Sequence, residues 1–199
     1  MNDDALSALE RELPSLRGLA RFARGLSGIP WFANLGEPLT AGARAAAADY
    51  ADGLGFPDAD VGILIDWEDA AAAAESLDWN APAWEAEELL RSDLSARAGE
   101  ILSSEALAIA MTLIADCVTE PAEEGMRQAA SLADIDDEQL GRLAVGSAVQ
   151  AAHQAALVLA AAAADPDFDA GRHPFAAKFQ LFEFGRWPVG IVGRTFNLF

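Results

Sequence analysis

The sequence predicts a mainly α fold, a single-domain helical bundle around a long central helix at about 136–164, with a short C-terminal β-hairpin at about 189–198. Three observations carry this expectation. The first is the stretch from Asp136 to Ala164. It opens with a compact start signal, Ile135-Asp136-Asp137-Glu138-Gln139-Leu140, in which Asp136 can cap and Gln139 can reach back, with Ile135 and Leu140 at staple spacing. After Arg142 no charged residue occurs until Asp165-Pro166, where a helix cannot continue cheaply. At 1.5 Å per residue such a helix is roughly 40 Å long, enough to cross a small domain. The second observation is composition. With 199 residues, 52% hydrophobic and 23% charged, the chain can bury a core without metals or disulfides. The third is the placing of aromatic residues, which occur up to Trp84, stop, and resume at Phe168. The middle must therefore pack through Ala, Leu, Ile, Val and Met, with the aromatic-rich ends (1–84 and 168–199) sharing a cluster against it.

Taken in order, Leu6, Leu9 and Leu13 form a helical stripe that meets Pro14. Pro14 can open a second helix, with Leu16, Leu19, Ala20, Ala23 and Leu26 on one side and Arg17, Arg21 and Arg24 on the other. Residues 29–39 are irregular and carry Trp31 and Phe32 between prolines. Thr40 caps a helix to about Ala51, which Gly53, Gly55 and Pro57 end. The apolar run 61–65 fits a strand or the first turns of a helix equally well. Asp66, with Asp69 three residues on, caps the alanine-rich run that follows. Asn80 caps the next helix, with Pro82, Glu85, Glu87 and Glu88 near its positive end and Leu89, Leu90 and Leu94 buried. A further helix covers roughly Ser104 to Cys117, and Thr119 with Pro121 starts another. Beyond the central helix, Pro174 and Gly185 bracket a helix striped with Phe175, Phe179 and Phe182. The pair Gly193-Arg194 between β-prone runs fits a two-residue hairpin turn, and that hairpin must pack on the helices or pair with 61–65.

Charge bounds the partners. A net charge of −19 opposes direct binding to nucleic acid or to an anionic membrane. Such acidity serves solubility or adaptation to salt before anything else; its sharper implication is a basic protein partner, whose binding would weaken with salt. The stretch 143–164 has the length of a membrane span, but Gln150, His153 and Gln154 would lie at mid-bilayer. Cys117 is the only cysteine and the N-terminus begins Met1-Asn2-Asp3-Asp4, so a reducing cytoplasm is expected. The usage is dominated by Ala, Gly, Asp and Arg, as in GC-rich bacterial genomes, with Lys178 the only lysine.

No motif for a cofactor or metal is present, and none is expected. The Asp165, Asp167, Asp169 loop lacks the glycine and closing acid of an EF-hand. Residue 150, three before His153, is Gln, so the Glu-x-x-His pattern of a di-metal bundle is absent. What remains is a polar stretch in an otherwise uncharged helix, Ser147, Gln150, His153 and Gln154, whose buried members need partners. Two functional readings follow. The first is a cytoplasmic bacterial protein without catalytic activity that acts on a protein partner through its acidic surface. The alternative is a small-molecule-binding or enzymatic bundle. In that case His153 is the polar anchor, Gln150 and Gln154 orient the ligand, and Trp31 or Trp187 forms the apolar wall. A homo-oligomer with buried small-residue helix faces is a third arrangement.

Overall fold

The computed structural model describes residues 17–78 and 80–199. The expected stripe at Leu6, Leu9 and Leu13 and the start at Pro14 lie outside these residues. The described chain is mainly helical. Helix α1 spans Arg17–Gly25, α2 Ala41–Gly53, α3 Trp67–Glu75, α4 Pro82–Ala98, α5 Ser104–Leu132, α6 Glu138–Ala164 and α7 Pro174–Glu183. Three strands, β1 Asp60–Ile63, β2 Pro188–Val192 and β3 Thr195–Leu198, form one small sheet in the order β1-β3-β2.

Helix α6 is the axis, packed against α1, α4, α5 and α7. Its inward side is mostly alanine, joined by Leu140, Gln154, Leu157 and Val158: Ala144, Ala148, Ala151, Ala152, Ala156, Ala160 and Ala161 are all fully buried. Small side chains let the neighbouring backbones come close, and alanine holds the helix at no rotamer cost. Among the described residues it is the one helix long and apolar enough to cross a membrane, but 56% of its most apolar window is buried inside the fold. Its start is one residue later than the pattern suggested. Asp137, not Asp136, is the cap, with its Oδ1 accepting from the Leu140 backbone N–H at 2.9 Å.

Two other boundaries also differ from expectation. Residues 104–132 form one helix, with Pro121 inside it. A proline there forfeits the bond to the carbonyl four residues back, at a cost of about 3 kcal/mol. Burial of Val118, Ala122 and Met126 along the α5–α6 hairpin outweighs that loss, and the Thr119 hydroxyl donates to the Ala115 carbonyl instead of capping. Ahead of α4 the cap position is Ala81, which has no side-chain bond to offer; Asn80 is held one residue earlier by the Asp78 carboxylate. By contrast, Thr40 and Asp66 cap α2 and α3, accepting from Ala43 and Asp69 at 3.1 and 2.9 Å.

The open question at 61–65 resolves as a strand. β1 runs parallel to β3, with Val61 opposite Phe196 and Ile63 opposite Leu198, while β2 and β3 form the hairpin. Gly193 takes φ +60°, which the two-residue turn requires. Phe196 and Leu198 face inward and alternate with half-buried Thr195 and Asn197. The aromatic residues of the two ends meet in edge-on contacts, Phe22 with Phe179, Trp31 with Phe179, and Phe32 with Phe182. Helix α7 ends in a Schellman turn, with Arg186 N–H on the Leu181 carbonyl, Gly185 N–H on the Phe182 carbonyl, and Gly185 at φ +72°. The buried Arg186 guanidinium then donates to the carbonyls of Glu37 and Pro38 at 2.7 and 2.8 Å, pinning the 29–39 loop to this end of the molecule.

Candidate functional site

Two apolar clusters build the interior. The larger surrounds α6; the smaller joins α2 and α7 to the sheet through Ala47, Tyr50, Leu181 and Phe196. At their seam lies a group of polar side chains that four different helices deliver. Glu87 comes from α4 on the same side as Leu94 and Ala98, seven and eleven residues on, which is why it enters the core while Glu85 does not. Lys178 comes from α7, between Phe175 and Phe182 on that helix's buried side. Tyr50 comes from α2 and Gln154 from α6.

The geometry converges on one carboxylate. Lys178 Nζ donates to Oε1 and Oε2 of Glu87 at 2.9 Å each. Gln154 Nε2 donates to Oε2 at 2.7 Å, and the Tyr50 hydroxyl donates to Oε1. The ammonium also sits 5.6 Å above the Tyr50 ring. Burial pushes the Glu87 carboxyl upward, but the Lys178 charge and the bonds from Tyr50, Lys178 and Gln154 outweigh it, so its pKa falls below the ordinary value. Burial and then the Glu87 charge raise the Tyr50 phenol well above its usual range. The cluster is thus a carboxylate, an ammonium and a neutral phenol. Two buried polar atoms nearby in the chain's fabric have no hydrogen-bond partner, Gln154 Oε1 and Trp187 Nε1.

This cluster forms the closed end of a cavity of about 330 Å³. Tyr50, Glu87, Lys178 and Trp187 line it and are buried, whereas Arg142, Leu143 and Gly146 of α6 line it and are exposed, which fixes floor and mouth. The walls are Leu77, Trp84, Val189 and Ile191, with Ser147 and Gln150 above. Gly190, at φ +147°, shapes one wall: a Cβ there would lie 2.6 Å from Leu77 Cδ2. Charges in the lining balance, Glu87 and Asp78 against Lys178 and Arg142, although the chain as a whole is strongly acidic.

The residues singled out from sequence separate in space. Gln150 and Trp187 line the cavity, and Gln154 stands behind it as a bond donor to Glu87. His153 does not line it; its Nε2 donates to the Met111 carbonyl of α5 at 2.9 Å, and burial lowers its pKa so that the ring is neutral. Trp31 is buried elsewhere, with Nε1 on the Leu26 carbonyl at 3.1 Å. Glu87 and Tyr50 were not singled out from the sequence. The available signals were a lone lysine inside a phenylalanine stripe, and an acid at the buried spacing of Leu94. Among the described residues no three His, Cys, Asp or Glu side chains gather as metal ligands. No protein-family model matches the chain, and no curated protein or solved structure matches it significantly.

Proposed function

We propose that the protein binds a small, neutral organic molecule in this cavity, with an aromatic or aliphatic body and a carbonyl or carboxamide head. The observation that carries the reading is the pairing of an apolar cavity of about 330 Å³ with a preorganised polar floor. That volume lies within the usual range of roughly 300–1,000 Å³ for ligand sites, which combine apolar walls with few, fixed polar groups. Lys178 has three N–H donors and Glu87 takes two, which leaves one for a ligand acceptor. The Tyr50 oxygen, its hydrogen directed at Glu87, keeps lone pairs for a ligand donor. A balanced lining favours a neutral head over an ion.

The same chemistry favours binding over catalysis. An ion-paired ammonium is not a nucleophile, and a carboxylate that accepts four hydrogen bonds is a poor base. A bacterial cytoplasm is the proposed setting, on the single cysteine and the composition.

Benzamide is a suitable probe, being neutral, flat and headed by a carboxamide. Native mass spectrometry of gently purified protein should show a retained small molecule, or benzamide should bind with a change in tryptophan fluorescence from Trp84 and Trp187. Val189→Trp, which fills the cavity from an edge already 8% exposed, should abolish that binding while the fold persists. Equal benzamide affinity in the filled variant would refute the site.

A further inference from the structure

Between the C-terminal end of α5 and the segments around Leu35 and Trp67 lies an open groove of about 680 Å³. Its lining is largely apolar: Leu35, Trp67 and Phe199 on one side and Ile135 on the other, with Leu132 and Ile65 at the edges. Leu132 is 91% exposed and Ile65 73%, the two most exposed large apolar side chains described. Scattered exposed leucines are ordinary, but two at the lips of an apolar groove form a patch.

The edges are acidic. Glu37, Asp66 and Glu68 line the groove, and no lysine or arginine does. At Ile135 it adjoins a second groove of about 680 Å³ between α5 and α6, bordered by Glu123, Asp136, Asp137 and Glu138. The two cations of that second groove are already committed, Arg127 to Glu124 and Arg142 to Glu138 at 3.5 Å. An apolar track with seven carboxylates along it and no unpaired cation is complementary to one kind of occupant.

We propose that this track docks a basic amphipathic segment of a partner protein, its apolar side on Leu132, Ile65 and Trp67 and its Lys or Arg residues against Glu37, Asp66 and Glu68. A second copy of this chain is a poor fit, because the same carboxylates would face one another on a protein of net charge −19. The chain's own arginine-bearing helix α1 has its apolar residues Leu19, Ala20 and Ala23 in the core and cannot offer them. An anionic membrane is repelled by the same acids.

The test titrates the full chain with a fluorescent 18-residue Leu/Lys amphipathic peptide, with a matched Leu/Glu peptide as control. The Leu/Lys peptide should bind, weaken as salt rises, and bind at least tenfold less well to Leu132→Ser/Ile65→Ser, which keeps every charge. Glu37→Gln/Glu68→Gln should weaken it severalfold. Because all these side chains are at the surface, melting curves should confirm that each variant is folded. Unchanged affinity in the Leu132→Ser/Ile65→Ser variant would show attraction to acidity alone and overturn the groove. Equal binding of the Leu/Glu peptide would do the same. Sedimentation showing a dimer that Leu132→Ser dissolves would assign the track to a second copy and also overturn the proposal.

Discussion

Replacing Lys178 by methionine isolates the energetics of the buried cluster, because it keeps an unbranched side chain of nearly the same length and removes the ammonium with its charge and its two bonds to Glu87. The Lys178 and Glu87 side chains are 7% and 10% exposed, so the pair is held largely out of bulk water. Glu87 would be left with Tyr50 and Gln154 as donors and no opposing charge. Breaking a buried pair from one side costs about 3–5 kcal/mol. An independent bound comes from protonation. The stranded carboxylate can take up a proton, which from its ordinary value of 4.5 costs roughly 3.4 kcal/mol at pH 7, at about 1.4 kcal/mol per pH unit. The two routes agree at about 3–4 kcal/mol, a fall in melting temperature of roughly 6–16 °C for a chain of this size. The protonation route adds a signature. In Lys178→Met the folded carboxyl has a raised pKa, so the deficit should shrink to under about 1 kcal/mol at pH 5. Glu87→Gln/Lys178→Met removes both charges, and its new amide can still accept from Tyr50 and donate to the unpartnered Gln154 Oε1. That double variant should be more stable than either single one, with a coupling of about 3 kcal/mol or more. Urea denaturation followed by circular dichroism at pH 7 and pH 5 measures all of this. Additive single effects, or a deficit that does not change with pH, would refute the reasoning.

Other expectations concern packing, caps and behaviour in acid. Gly125→Ala should destabilise by about 1–3 kcal/mol, since its Cβ would lie 2.5 Å from the Trp31 carbonyl oxygen, whereas Gly146→Ala, with nothing within 4 Å, should stabilise by up to about 1 kcal/mol; thermal melts separate the two. Thr40→Ala and Asp66→Ala should each cost about 1 kcal/mol in the same assay through loss of a cap. In acid, two steps are expected. Burial lowers the pKa of His153 and of His173, so the unfolded chain gains protons first and stability declines as pH falls below 6.5. Glu87 has a lowered folded pKa, so its contribution is intact above 4.5 and is lost as pH falls through the folded value. His153→Gln should flatten the first step and leave the second.

Much of the fold could be read locally because caps and turns are local chemistry. Thr40, Asp66, Gly185 and the Gly193-Arg194 turn each act on residues within one helical turn of themselves, and each stands where its neighbours predict. Pro121 misleads for the opposite reason: its penalty is local, but the packing of Val118, Ala122 and Met126 on α6 that overrides it is not. The site divides along the same line. Gln150 and Gln154 stand out because polar groups in an uncharged helix demand partners. Which partner answers depends on which helix lies alongside. Glu87, 67 residues from Gln154 and 91 from Lys178, looks like one of three ordinary acids near the positive end of a helix. His153 satisfies its demand with a backbone carbonyl, an outcome no side-chain pattern reveals.

The position of Lys178 has one more consequence. It is the only lysine in the sequence and it is 5% exposed, so the folded surface presents no lysine amine at all. Enzymes that modify lysine, and amine reagents too bulky to enter the cavity, therefore have no side-chain target until α7 parts from α4. Each labelled Lys178 counts one opening of the core, and with fast reclosing the labelling rate reads the free energy of that opening directly. The chain thus carries its own clock for the parting of the two helices that hold the floor of the cavity.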